Sequence, residues 1–174
     1  MIHGGNIQDL LEQTLKPIST SIISTNDNDN DNDNDNDSSL ISIQSAILLS
    51  INNGSILSYA TNLNLIDSNI NNNETSLKMM TLLCKDKWQE NENDEPESHY
   101  LYKYKHDNNT VETKLYNYEI ENLHTCIARI PNSDLLILLT ADNQFPYGLL
   151  SLKMKFLLNN SINLINYKLT NKST

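Results

Sequence analysis

Residues 114–150 read KLYNYEIENLHTCIARIPNSDLLILLTADNQFPYGLL, and this stretch decides the fold. Its first part alternates, with Tyr116, Tyr118 and Ile120 on one face and Asn117, Glu119 and Glu121 on the other, the period-two mark of a half-buried strand. HTCIARI (124–130) continues to Pro131-Asn132-Ser133-Asp134, where proline suits the second position of a turn. LLILLTA (135–141) is apolar on both faces, so it needs cover above and below and belongs in the middle of a sheet. Pro146 then opens a helix predicted to reach about Tyr167, with Leu150, Met154, Leu157, Leu158 and Ile165 at helical spacing.

Upstream, residues 90–112, ENENDEPESHYLYKYKHDNNTVE, read as a polar loop with a YLYKYK island able to dock locally. Before it a helix is predicted from about Ser76 to Glu90, with Leu77, Met80, Cys84 and Trp88 on one stripe and Met79, Leu82 and Leu83 on others. Such a helix has more large apolar residues than one buried face requires. Deeper burial in its own domain is one explanation; a second face for another subunit is the other, and the surplus favours the partner. Further back, Ile41, Ile43, Ile47, Leu49 and Ile51 define a strand, and SILSYAT (55–61) returns after Asn53-Gly54, the pair favoured by a type I′ hairpin turn. A first helix over Asn6–Lys16 carries Ile7, Leu10, Leu11 and Leu15 on one face and stops at Pro17. The order is helix, two strands, helix, three strands, helix: one α+β domain over 1–174, interrupted by an insertion at 24–38 and the polar loop at 90–112.

Composition narrows the function. The formal net charge is −10. The run NDNDNDNDNDND (26–37) carries six acids, and Glu90, Glu92, Asp94, Glu95 and Glu97 add five, so the remainder is near neutral and the acidity belongs to loops. One arginine, Arg129, is too little cationic surface for nucleic acid. The Asn-Asp run fails as a calcium loop: counted from Asp27, the glycine position is Asn32 and the bidentate glutamate position is Ser38. Self-repelling charge without hydrophobes fits a disordered insertion, whose closure costs only about 0.6 kcal/mol per doubling of length. His124 and Cys126 share a strand face, but a nucleophilic thiolate needs an activating base and structural zinc needs four ligands. None of the phosphate, dinucleotide or nucleophile-elbow glycine patterns can be written from Gly4, Gly5, Gly54 and Gly148. The expectation is a scaffold, not an enzyme, with no cofactor and no metal. Cys84 and Cys126 read as buried free thiols of a reducing compartment. No signal-peptide core, membrane-length apolar run or lipidation motif is expected, so any membrane address comes through a partner.

Four segments carry a resemblance: LLEQTLKP (10–17), NNGSILSYAT (52–61), LKMMTLLCKDKWQENENDE (77–95) and YEIENLHTCIARIPNSDLLILLTADNQFPYGLL (118–150). Together they resemble the third-subunit family of the fungal EGO complex, the counterpart of the metazoan Ragulator scaffold. The resemblance implies a Roadblock/longin-like three-layer domain with a five-stranded antiparallel sheet of order 2-1-5-4-3, one helix on one face and two on the other. It also implies a dimer interface in which the Tyr116–Glu121 strand pairs edge to edge with a partner and the second helix packs alongside, using Met79, Leu82, Leu83, Tyr116 and Tyr118. By the same resemblance the partners are a second copy or a smaller Roadblock-like subunit, a lipidated anchor subunit and a Rag-family (Gtr) GTPase heterodimer. The implied role is to relay amino-acid sufficiency to the TOR complex at the cytosolic face of the vacuolar membrane, with endosomal membranes as a second address. Another Roadblock-type adaptor, a dynein light chain or a small-GTPase regulator, is the rival reading.

Overall fold

The apolar run at 135–142 is the strand around which the sheet is built. In the computed structural model, which describes residues 4–17, 42–62, 70–94, 99–106 and 109–169, the elements in chain order are α1 (Gly4–Leu15), β1 (Ile43–Ser50), β2 (Ile56–Thr61), α2 (Ile70–Asp94), β3 (Tyr100–His106), β4 (Asn109–Ile120), β5 (Leu123–Arg129), β6 (Leu135–Asp142) and α3 (Tyr147–Asn160). A 3₁₀ turn follows at Ile162–Leu164. The strands form one antiparallel sheet of order β2-β1-β6-β5-β4-β3. β6 lies inside it, buried on both faces as its composition requires. Leu135, Ile137 and Leu139 join the core under α1 and α3, while Leu136 and Leu138 face α2 with Ile47, Leu49 and Ile127. Two helices therefore cover one face and one helix the other. Truncating a fully buried side chain such as Leu138 is expected to cost about 2–5 kcal/mol.

Four expectations need correction. The sheet has six strands, not five, because the segment read as a polar loop at 90–112 contains β3 and the start of β4. β3 pairs with β4 from Tyr100↔Leu115 to His106↔Asn109. Alternation suffices for this outer strand: Tyr104 is buried and Tyr102 packs on the core, while Leu101, Lys103 and Lys105 point to the opposite face. Consequently Tyr116–Glu121 is not a simple edge, since its strand lies between β3 and β5. The β3 ladder ends at Leu115, however, so among the described residues Tyr116–Ile120 is paired on the β5 side only. Third, α3 stops at Asn160 rather than Tyr167, and Ser161 begins a 3₁₀ turn that carries Leu164 and Ile165 back onto the core.

The fourth concerns turns. At the β1–β2 connection only Gly54 has positive φ (68°), and Asn53 Oδ1 accepts from the Ser55 N–H at 3.0 Å, so the turn is not type I′. Two consecutive positive φ values occur instead at Glu121 and Asn122, between β4 and β5. The predicted insertion at 24–38 lies outside the described residues.

Candidate interaction surface

α2 runs longer than its apolar pattern predicts, from Ile70 to Asp94. The face it turns to the sheet is Met80, Cys84 and Trp88, all buried, with Thr81 bonding back to the Leu77 carbonyl at 2.7 Å. Cys84 Sγ sits 3.8 Å from Met80 Sδ, and burial pushes its thiol up to about 12. The opposite face carries Met79, Leu82 and Leu83, exposed by 57%, 43% and 40%. A helix packed on a sheet by one stripe leaves residues half a turn away in solvent, and here three large hydrophobes occupy that position.

The C-terminal turns of α2 are clamped to β4. Tyr116 Oη donates to Glu92 Oε1 at 2.6 Å and Asn91 Nδ2 donates to Tyr118 Oη at 2.6 Å. The two tyrosine rings stack 6.2 Å apart at 12°, and Tyr116 is fully buried. Burial first, then the Glu92 carboxylate, pushes the Tyr116 hydroxyl up; burial pushes Tyr118 up to about 12. Of the five residues predicted for an interface, Met79, Leu82 and Leu83 thus stand on the outside of α2. Tyr116 and Tyr118 form the floor beneath its C-terminal end. The rings point across the sheet plane because side chains stand perpendicular to the direction of strand pairing.

Gly54 lies against the middle of α2. A Cβ there would meet Leu82 Cδ2 at 2.8 Å and Lys85 Cδ at 3.1 Å, so the helix lies directly over the β1–β2 turn. Sequence reasoning missed this contact, although the positive φ that Asn-Gly invites was its one visible trace.

The chemistry-bearing residues are occupied structurally. His124 Nδ1 is 2.7 Å from the Phe145 carbonyl, and its ring stacks on Tyr147 at 3.9 Å. Cys126 is buried on the face under α3, and desolvation pushes it up to about 12. A thiol in that state is not a nucleophile. Among the described residues no three His, Cys, Asp or Glu side chains are grouped to hold a metal ion. A groove of about 790 Å³ follows the open edge of β2 between Gln8 and Glu12 of α1 and Leu77 and Lys78 of α2. Its floor is strand rather than convergent polar groups, with Ser58 Oγ donating to Gln8 Oε1 at 2.9 Å. No described helix is long and apolar enough to cross a membrane.

The family described as Protein SLM4 matches this chain over residues 1–169. Protein SLM4 of Saccharomyces cerevisiae (strain ATCC 204508 / S288c) is 43% identical over 172 residues, which span 97% of this chain and 98% of that protein. Among solved structures, a Roadblock/LC7 domain from Streptomyces avermitilis is similar with a TM-score of 0.43 at 15% identity, covering 68% of this chain and 82% of the domain.

Proposed function

The chain belongs to the Protein SLM4 family, and from that premise we propose that it is a non-catalytic Roadblock-type scaffold subunit of an EGO/Ragulator-like complex at the vacuolar membrane. In this reading it pairs with a second copy or with a smaller Roadblock-like subunit, and the pair helps hold a Rag-family (Gtr) GTPase heterodimer for amino-acid signalling to the TOR complex. A lipidated anchor subunit supplies the membrane address, and recruitment raises the local concentration of the GTPases there.

The observation that carries the reading is the outer face of α2. Met79, Leu82 and Leu83 stand exposed on α2, and the C-terminal turns of the same helix are bonded to β4, whose Tyr116–Ile120 half is paired, among the described residues, on the β5 side alone. A partner can satisfy the backbone there while covering the helix, which joins an apolar contact to a directional one. The non-catalytic part of the reading rests on the titratable groups: both thiols are held protonated, and the buried tyrosine and histidine partners fasten elements of the fold.

Affinity purification of the tagged chain from its native fungal cell, after gentle solubilisation of membranes, tests this. Recovery of a Gtr GTPase pair together with a lipidated subunit and a small Roadblock-like subunit is the expected result. Recovery of dynein chains instead would transfer the scaffold role to another adaptor class.

A further inference from the structure

We propose that Asn53 is a deamidation site gated by the docking of α2 over Gly54, and that the isoaspartate formed there loosens that docking. Asn53-Gly54 is the one Asn-Gly pair in the sequence. Deamidation begins when the main-chain nitrogen of the following residue loses its proton and attacks the side-chain carboxamide carbon. Glycine hinders that approach least, because it carries no Cβ. The bond from the carboxamide carbon to its nitrogen then breaks, and ammonia leaves a five-membered imide. Water opens the imide at either carbonyl to give aspartate or isoaspartate. One water is consumed and one ammonia released, with no change of oxidation state.

The two reacting groups sit in opposite surroundings. Asn53 is exposed, so its carboxamide is open to water, whereas Gly54 is buried. The Gly54 N–H donates to the Ser50 carbonyl at 2.9 Å, so the proton that must leave is held inside the turn. Leu82 and Lys85 close over the same residue, at 2.8 Å and 3.1 Å from where a Cβ would stand. Lys85 is itself laid along α2, its side chain 11% exposed and its Nζ donating to Gln89 Oε1 at 3.1 Å. The carboxamide is restrained as well, since its Oδ1 accepts from the Ser55 N–H at 3.0 Å. Attack therefore requires the turn to open, and opening requires α2 to lift from it. The rate is then set by the population of that local opening, not by the chemistry of the pair alone.

Isoaspartate moves the side-chain methylene into the main chain and leaves a carboxylate beside it. The turn has no slack for that atom: Gly54 N–H is tied to the Ser50 carbonyl, Ser50 N–H to the Ser55 carbonyl at 2.9 Å, and Asn52 N–H to Ser50 Oγ at 3.2 Å. Lengthening the chain between Ser50 and Ser55 breaks this set and shifts the surface on which Leu82 rests. The change is one-way, so a turn that has opened and reacted no longer seats α2 as before. It reaches the proposed pairing surface only through the position of Leu82, and the modification itself stands without that reading.

The full chain is incubated at mildly alkaline pH, folded in buffer and unfolded in urea. Peptide mass mapping reads conversion at Asn53, and a protein-isoaspartate methyltransferase reads the isoaspartate product. Asn53 is expected to convert ahead of the other asparagines in urea, and at least about tenfold more slowly in the folded chain. Leu82→Ala uncovers Gly54 and should speed the folded reaction about fivefold while leaving the rate in urea unchanged. Ile137→Val, in the core on the opposite face, controls for global unfolding: it lowers the urea midpoint and should leave the folded rate within about twofold. The purified isoaspartate form should show faster amide exchange around Leu82 than the parent. Equal rates folded and unfolded, no acceleration in Leu82→Ala, or equal acceleration in Ile137→Val overturns the gate. Preferred conversion of another asparagine in urea overturns the site, and unchanged exchange around Leu82 overturns its effect on α2.

Discussion

The double substitution Leu82→Asp/Leu83→Asp separates association from folding. Complete burial of a leucine contributes about 1.5–3 kcal/mol. Leu82 and Leu83 are 43% and 40% exposed, so covering what remains of each is worth about 0.6–1.2 kcal/mol, or about 2 kcal/mol for the pair. Aspartate forfeits that and adds the cost of desolvating a carboxylate against an apolar surface, several kcal/mol per ion even after relaxation. A loss of about 5 kcal/mol follows, more than a thousandfold in dissociation constant at about 1.4 kcal/mol per tenfold. If the partner is a second copy, the face is used twice and the effect is larger. The isolated fold should lose less than about 2 kcal/mol, comprising the poorer helix propensity of aspartate and the packing of Leu82 over the Gly54 turn. Sedimentation equilibrium reads the association and urea unfolding reads the fold. A dissociation constant within about tenfold of the parent, with the variant folded, would refute the assignment of this face.

Three further outcomes follow from the packing. Gly54→Ala imposes a side chain at φ 68° and drives its Cβ to 2.8 Å from Leu82 Cδ2, so it should cost about 2 kcal/mol; adding Leu82→Ala should recover the steric part in a double-mutant cycle, and strict additivity would argue against the contact. Tyr116→Phe removes the 2.6 Å bond to Glu92 and should cost about 1.5–3 kcal/mol in urea unfolding, with faster amide exchange in the last turns of α2. Cys84 and Cys126 rise from ordinary values of 9.0 to about 12, and Tyr104 and Tyr118 from 10.0 to about 12, all chiefly through burial. Each keeps its proton more tightly when folded, so this contribution is complete below about pH 9 and is lost as pH rises towards about 12, visible as a falling unfolding midpoint over that window.

Legibility in the sequence followed how many faces each element must satisfy. β6 is buried on both sides, so its composition alone placed it inside the sheet. The sheet-facing stripe of α2 was equally plain, because Met80, Cys84 and Trp88 repeat at helical spacing and are all buried. Its start was not, since Asn71, Asn72 and Asn73 carry no periodic signal and are poor helix formers. β3 was hidden for a related reason. An outer strand needs only one apolar face, and its alternating lysines look like loop between an acidic tract and an Asn-rich turn. Tyr116 shows a different limit. Alternation located its face, but it gave no sign that the ring there is covered by α2 of the same chain and bonded to Glu92.

The sixth strand changes what a pairing partner can use. With β3 occupying Asn109–Leu115, at most the five residues Tyr116–Ile120 of β4 lack a described strand on that side. A backbone hydrogen bond adds only about 0.5–1.5 kcal/mol net, so a ladder this short aligns a partner without holding it tightly. The area that holds it must come from α2.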